Sequence, residues 1–230
     1  MNQEYIFDAY DDSSMFSMAV EFNLFPIRYI HLSWLKKDEH YKLISQLKVS
    51  ESTHFNLSDH LLKRFKLSND YDFDFAAKEK RIVFASAEEL ARLAYYLGLI
   101  LNEGIIRSAV RRKERVALEQ SLGEEAYQFA VKKAQFISRV AQHSGPSLLI
   151  DWNHLDRFKQ YLIISGLEVM GGALSGESVA LRKRLTLKLP KEWHKTLNNP
   201  QGLTLNKAQS AQLVIKTHRE VNRQWRHLLS

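Results

Sequence analysis

The spacing of apolar residues between residues 86 and 140 predicts three consecutive helices. The first begins at Ser86, because Ser86-Ala87-Glu88-Glu89 has the pattern of a capping box, in which the serine and glutamate side chains satisfy each other's unpaired amides. Gly104 ends or kinks this helix. Its apolar positions recur at helical spacing and predict one buried stripe: Leu90, Leu93, Leu97 and Leu101.

Two further helices follow in the same stretch. One carries apolar residues from Ile105 to Leu118, and Gly123 lies just past its end, where glycine commonly terminates helices. The next begins at Glu124-Glu125, because acidic side chains favour the positive start of a helix, and Gly145-Pro146 closes it. The short joints predict that the three helices pack as neighbours.

Helical patterns also occur towards both ends of the chain. Ser13 or Ser14 caps a helix that Pro26 stops, since proline lacks the amide donor and disfavours helix at the preceding residue. Another helix runs from Asp151 or Asn153 to Met170, and Gly171-Gly172 breaks it. Alternating spacings of three and four give the tail a narrow apolar seam, which either packs on the body of the protein or receives a partner helix: Ala211, Val214, His218, Val221, Trp225 and Leu228.

Short alternating segments interrupt the helices. Residues 71–75 read Tyr-Asp-Phe-Asp-Phe, and Leu185, Leu187 and Leu189 alternate with polar residues, so both stretches are predicted to be extended. Residues 81–84 are a further candidate. The fold class is therefore mainly α, with one or two short extended segments. We expect one helical domain over residues 1–230, with an acidic N-terminal arm or helix over 1–25 and an amphipathic C-terminal helix over 205–230.

Composition narrows the cellular setting. The chain has no cysteine, so disulfides and thiolate metal sites are excluded. No apolar run approaches the roughly 20 residues of a membrane-spanning helix. The first twenty residues carry acids and no Lys or Arg, unlike a secretory signal. These features predict a cytoplasmic protein.

The formal charge of +7 is unevenly distributed. Basic residues cluster within 105–116 and within 182–195, whereas the N-terminus is acidic. The Arg111-Arg112-Lys113 run falls inside a predicted helix. Three interpretations stay open for the two clusters: a solvated face, a surface for an acidic protein partner, or contacts to nucleic-acid phosphates. Neither the Arg111-Arg112-Lys113 run nor the Arg182-Lys183-Arg184 run has the interleaved aromatic residues that stack on bases.

Candidate chemistry is sparse. The nine histidines include no pair at a helical metal-ligand spacing, and the flanking aromatics explain the Asp72-Phe73-Asp74 pattern by alternation alone. No phosphate-binding glycine loop or nucleophile elbow occurs. No motif combines a nucleophile, a base and an orienting group. We therefore expect a non-enzymatic protein with no catalytic residue, no metal and no cofactor.

Three stretches together resemble the SctK/YscK family of type III secretion proteins. Residues 22–35 are similar to an apolar-proline segment followed by Tyr-x-His-x-Ser-Trp-Leu, with Leu32 where the family often has proline. Residues 90–106 contain Leu97-Gly98-Leu99 within a leucine-rich helix. Residues 117–130 look like the family's Leu-Gly-x-x-x-aromatic-x-Phe-Ala segment. The resemblance covers roughly residues 20–190.

The resemblance implies a mainly helical adaptor of the cytoplasmic sorting platform, without an active site. Such a protein would bridge the cytoplasmic domain of the inner-membrane ring protein (SctD) and the pod protein (SctQ), so that it is peripheral at the inner membrane through its partners. No nucleic acid is expected in that role; a basic helical nucleic-acid-binding or regulatory protein is the alternative. We expect two partner-binding surfaces, an acidic one for a basic partner and a basic one for an acidic partner: Asp8, Asp11 and Asp12; and Arg107, Arg111, Arg112 and Arg115.

Overall fold

A computed structural model of the chain describes residues 3–36, 39–139, 150–202 and 204–229, with residues 3–13 described by their backbone alone. Every regular element in these ranges is helical, and they contain no β-strand. The mainly α fold class is therefore confirmed. Contacts between Cα atoms group the chain into two units that alternate along the sequence: residues 1–87 with 176–194, and residues 88–175 with 195–230. The expectation of one domain stays a prediction.

The first unit contains five α-helices among its described residues. Pro26 separates the first two as predicted, although the first helix begins at Gln3 rather than near Ser13. Short 3₁₀ segments lie between α2 and α3 (Leu32–Trp34) and between α3 and α4 (Glu51–Thr53). The α-helices are α1 (Gln3–Leu24), α2 (Pro26–Tyr29), α3 (Tyr41–Leu47), α4 (His54–Arg64) and, much later in the chain, α11 (Val179–Lys188).

The segment after α2 joins the two sequence pieces of the first unit. Its backbone donates from His31 N to the Leu187 carbonyl at 2.8 Å, and the Trp34 indole donates to the Leu189 carbonyl at 2.9 Å. The Ser33 hydroxyl accepts the Lys191 amide at 2.8 Å. The Tyr-x-His-x-Ser-Trp-Leu stretch thus has a structural role, because it binds the end of α11.

The predicted extended segment at 185–189 is wrong, because residues 185–188 belong to α11. The alternation failed as a guide because the polar residues between the leucines are buried as well: Thr186 is 2% exposed and Lys188 is 5% exposed. Residues 81–84 are likewise part of a 3₁₀ helix, Lys78–Phe84, and not extended. Residues 71–75 form neither helix nor strand.

The second unit contains the remaining described α-helices. Its predicted second helix is in fact two, since α6 ends at Arg107 and α7 begins only at Arg112. Gly123 has a φ of 92° at the end of α7, as its terminating position predicts. The α-helices are α5 (Ala87–Leu101), α6 (Glu103–Arg107), α7 (Arg112–Leu122), α8 (Glu124–Lys132), α9 (Ala134–Ser138), α10 (Leu155–Ala173), α12 (His194–Asn198), α13 (Lys207–Val221) and α14 (Arg226–Leu229).

Glycines set the closest helix contacts in the second unit. A Cβ on Gly98 of α5 would lie 1.8 Å from the Leu162 carbonyl oxygen of α10, and one on Gly166 of α10 would lie 1.7 Å from the Ala94 oxygen. The prediction that Gly171-Gly172 breaks α10 is wrong, because the helix continues to Ala173. These glycines leave room for a neighbouring backbone rather than for a turn.

The C-terminal seam packs within the second unit. Val214 and His218 are fully buried, and α13 lies against α10. The seam does not continue as one helix, because α13 ends at Val221 and a 3₁₀ turn, Arg223–Trp225, precedes α14. The Glu89 carboxylate accepts the Trp225 indole N–H at 3.0 Å, which holds the turn against the start of α5.

Candidate protein-binding surfaces

The four arginines of the predicted basic surface lie around the start of α7. Arg107 is the last residue of α6, Arg111 precedes α7, and Arg112 and Arg115 lie in its first turn. All four side chains are exposed. The prediction of a mid-helix position for Arg111-Arg112-Lys113 is wrong, because helix α7 begins there. We call these four arginines the basic face.

The basic face opposes the electrostatics of its own helix. The start of a helix is its positive end, where cations are unfavourable and anions are favourable. Glu114 offsets part of this charge, since its carboxylate accepts the Arg111 amide at 3.4 Å and lies 3.7 Å from the Arg111 guanidinium. Arg107 pairs with Glu103 at 3.3 Å. Helix stability therefore does not account for the remaining arginines at this position.

The side chains of Asp8, Asp11 and Asp12 lie outside the part of the chain that the structure describes. The backbone at these positions is helical and belongs to α1. Because residues 1–87 and 88–175 fall in different units, the predicted acidic surface belongs to the first unit and the basic face to the second.

The second basic cluster, residues 182–195, is largely structural at its centre. Arg184 is fully buried, and its guanidinium donates to the carbonyls of Asn23 at 3.2 Å, Leu67 at 3.2 Å and Asp70 at 2.7 Å. Burial lowers the pKa of Arg184. One turn later, the Lys188 ammonium donates to the carbonyls of Val83 and Ala85. Two of the cluster's cations are thus used inside the first unit, which weakens the nucleic-acid interpretation.

Asp72 and Asp74 pair with a buried lysine of the first unit. The buried Lys80 ammonium lies 3.0 Å from Asp72, 3.8 Å from Asp74 and 3.7 Å from Glu177. An ammonium therefore occupies the centre of these carboxylates. In the described ranges, no group of three or more histidines and carboxylates is arranged to hold a metal ion.

A groove of about 450 Å³ opens on the second unit. Glu220 lies on its rim, and its pKa is lowered chiefly by a hydrogen bond from the Lys133 ammonium, with the charges of Arg223 and Arg226 adding to the effect. A carboxylate held ionised in this way is a weak proton acceptor. Lys133 and Glu220, which both line the groove, form a salt bridge. The lining residues are Tyr96, Glu125, Gln128, Phe129, Lys132, Lys133, Glu220, Val221 and Arg223.

Sequence reasoning missed three exposed aromatic side chains of the first unit, Phe16, Tyr71 and Phe73. The alternation at residues 71–75 was the available signal, and it placed the aromatic residues on one side. Phe75 of the same alternation is 3% exposed, whereas Tyr71 and Phe73 are exposed, so the pattern alone does not distinguish a core from a surface. Among the described helices, none is long and apolar enough to cross a membrane.

Comparison with known proteins gives one match. The family model described as YOP proteins translocation protein K (YscK) matches residues 17–230. No curated protein and no solved structure matches the chain.

Proposed function

This chain belongs to the YscK family and has a role in type III protein export, and on that premise we propose that it is an adaptor of the sorting platform. In this role it links the cytoplasmic domain of the inner-membrane ring protein (SctD) to the pod protein (SctQ). Its place is the cytoplasmic face of the inner membrane, where it is held by its partners. The observation that carries the proposal is the family match over residues 17–230.

The basic face is our proposed site for an acidic partner. Four exposed arginines lie within nine residues of sequence, and three of them surround the positive end of α7. Residues retained where they oppose local stability are commonly there for function. Charge complementarity between partners mainly sets orientation and association rate. The acidic residues Asp8, Asp11 and Asp12 are proposed to contact a basic partner in the same way.

Co-purification tests the adaptor role. The chain, the ring protein's cytoplasmic domain and the pod protein of the same secretion system are expressed together, with the affinity tag on the chain. Recovery of both partners is the expected result. If neither protein is retained at low ionic strength, where charged contacts are strongest, the adaptor proposal is wrong.

Charge reversal tests the basic face separately. Arg111→Glu, Arg112→Glu and Arg115→Glu together are expected to remove one partner and retain the other. Because acidic side chains suit the start of α7, the helical circular dichroism is expected to be unchanged. Retention of both partners would exclude the basic face as a binding site. A matched control reverses three exposed cations elsewhere in the same unit: Arg157, Lys195 and Lys216.

A further inference from the structure

Three aromatic side chains of the first unit form a continuous exposed cluster, which we call the aromatic patch. Phe16 of α1 stacks on Phe73 with ring centroids 6.3 Å apart and an interplanar angle of 27°, and Tyr71 lies 6.4 Å from Phe73. Phe16 is 64% exposed, Tyr71 is 42% and Phe73 is 47%. Contiguous exposed apolar surface marks interaction sites on folded proteins, and aromatic residues supply many of their strongest contacts.

The backbone beneath the aromatic patch is held in place by a buried side chain. Asn23 is fully buried, its amide donates to the Asp72 carbonyl at 2.7 Å, and its side-chain oxygen accepts the Asp72 amide at 3.0 Å. The Asp72 carboxylate in turn accepts the Asp74 amide at 3.1 Å and the Ser178 hydroxyl at 2.8 Å. The rings on either side of Asp72 are thus presented on an ordered segment, which reduces the entropy lost on binding.

The charge around the aromatic patch is acidic. Asp70 and Asp74 are exposed directly beside its two loop aromatics. The Lys80 ammonium faces the carboxylates of Asp72, Asp74 and Glu177. With Asp70 and with the Arg184 guanidinium, 5.5 Å from the centre of the Tyr71 ring, four carboxylates meet two cations, which is a net charge of −2. A partner that covers the rings must also approach these carboxylates.

We propose that the aromatic patch docks an arginine-bearing segment of a partner protein. A guanidinium stacks on aromatic rings and also pairs with carboxylates in a fixed fork geometry, so one side-chain type matches both features of this surface. The Arg184 guanidinium already uses this contact from the interior, 5.5 Å from the centre of the Tyr71 ring. This inference deepens the adaptor role and rests on it, because it assigns a surface to the basic partner.

Affinity measurements with purified proteins provide the first test. The unaltered chain and the double variant Phe16→Ser, Phe73→Ser are titrated with the ring protein's cytoplasmic domain and with the pod protein. We expect the Kd of one partner to rise about tenfold or more, as for loss of aromatic anchors in other interfaces. Phe73→Tyr keeps the ring and is expected to retain binding. Phe55→Ser is the matched control, because Phe55 lies on α4 of the same unit and is 72% exposed.

Photo-crosslinking then identifies the occupant. Benzoylphenylalanine replaces Phe73 in one sample and Phe55 in another, and adducts are mapped by mass spectrometry. An adduct from position 73 to a segment that contains arginine supports the proposal. An adduct to a segment without arginine, or equal affinity of the double variant and the unaltered chain, overturns it. Sedimentation of the chain alone tests whether a second copy of the chain binds the aromatic patch. A dimer that the double variant abolishes would show this, and it would also overturn the proposal.

A peptide titration tests the aromatic patch independently of the adaptor role. If neither partner binds the unaltered chain, the adaptor proposal fails, and the peptide titration then tests the patch by itself. Its sequence alternates arginine with leucine and glycine, and the control peptide has glutamate in place of arginine. Nuclear magnetic resonance shifts confined to Phe16, Tyr71 and Phe73, present with the arginine peptide and absent with the glutamate peptide, support the patch. Shifts spread over the chain, or none, overturn it.

Discussion

Replacement of Arg184 by methionine is expected to destabilise the first unit strongly. Methionine fills a similar volume but donates no hydrogen bond, so the carbonyls of Asn23, Leu67 and Asp70 each lose the Arg184 donor. The Leu67 carbonyl keeps a second donor, the Asp70 amide at 3.3 Å. Two of these carbonyls belong to the connection after α4, where Lys66 and Asn69 have positive φ angles of 54° and 64°. The guanidinium therefore also holds a backbone conformation that non-glycine residues rarely adopt.

The magnitude follows from these contacts. A buried carbonyl left without a donor costs about 1–3 kcal/mol, and two carbonyls, those of Asn23 and Asp70, are affected in this way. Part of this is offset, because the variant no longer removes a charged guanidinium from water. Two such losses cost about 2–6 kcal/mol before this offset. We therefore expect the free energy of unfolding to fall by about 2–4 kcal/mol.

Urea unfolding followed by circular dichroism measures this change, and hydrogen exchange with mass spectrometry locates it. Protection is expected to fall in peptides from residues 20–30 and 61–75, on either side of the lost contacts. Lys183→Met is the matched control, because Lys183 is exposed on the same helix, and surface changes of this kind stay within about 0.5 kcal/mol. A loss for Arg184→Met no larger than that of the control would refute the structural role assigned to the guanidinium.

Three further predictions concern stability. Lys66 occupies the left-handed position after α4, and Leu67 N donates to the Leu62 carbonyl at 2.8 Å. Lys66→Gly is therefore expected to raise the free energy of unfolding, measured by urea titration, by about 0.5–1 kcal/mol, and no gain would contradict this. Gly98→Ala forces a Cβ to 1.8 Å from the Leu162 oxygen, so the midpoint of thermal unfolding is expected to fall by several degrees, equivalent to about 1–3 kcal/mol; Gly104→Ala, with open space around it, is the control. Burial lowers the pKa of His218 to about 4, so its contribution to the free energy of unfolding is fully present above pH 6.5 and is lost as the pH falls towards 4, by about 2 kcal/mol at pH 5. His218→Gln should remove that part of the pH dependence. An unchanged dependence of the unfolding free energy on pH would contradict this cause.

Local signals predicted the helix ends well where one residue type has one physical role. The start of α5 follows Ser86, and α7 ends just before Gly123, whose positive φ few other residues tolerate. Gly171-Gly172 shows the limit of this reasoning. A Cβ on Gly171 would lie 2.2 Å from the Leu197 oxygen, so this glycine admits a neighbouring backbone. That neighbour is distant in sequence, and no local pattern reveals it.

The charged residues were the least predictable feature. Arg184 stands in an Arg-Lys-Arg run that has the composition of a solvated face, and only the positions of three distant carbonyls make it interior. For aromatic residues the sequence pattern errs in the opposite direction: Phe73 alternates like a core residue, yet it is nearly half exposed. Both errors arise because burial depends on what covers a side chain as well as on its own polarity.

The alternation of the two units along the chain bears on its synthesis. The ribosome releases residues 1–87 first, yet α11, which supplies Arg184 and Lys188 to that unit, emerges about ninety residues later. Until then the carbonyls of Asn23, Leu67 and Asp70 lack the Arg184 donor. The first unit therefore cannot complete its packing until residues 176–194 have been translated. A gene fragment that ends before Gly176 encodes the first unit without α11.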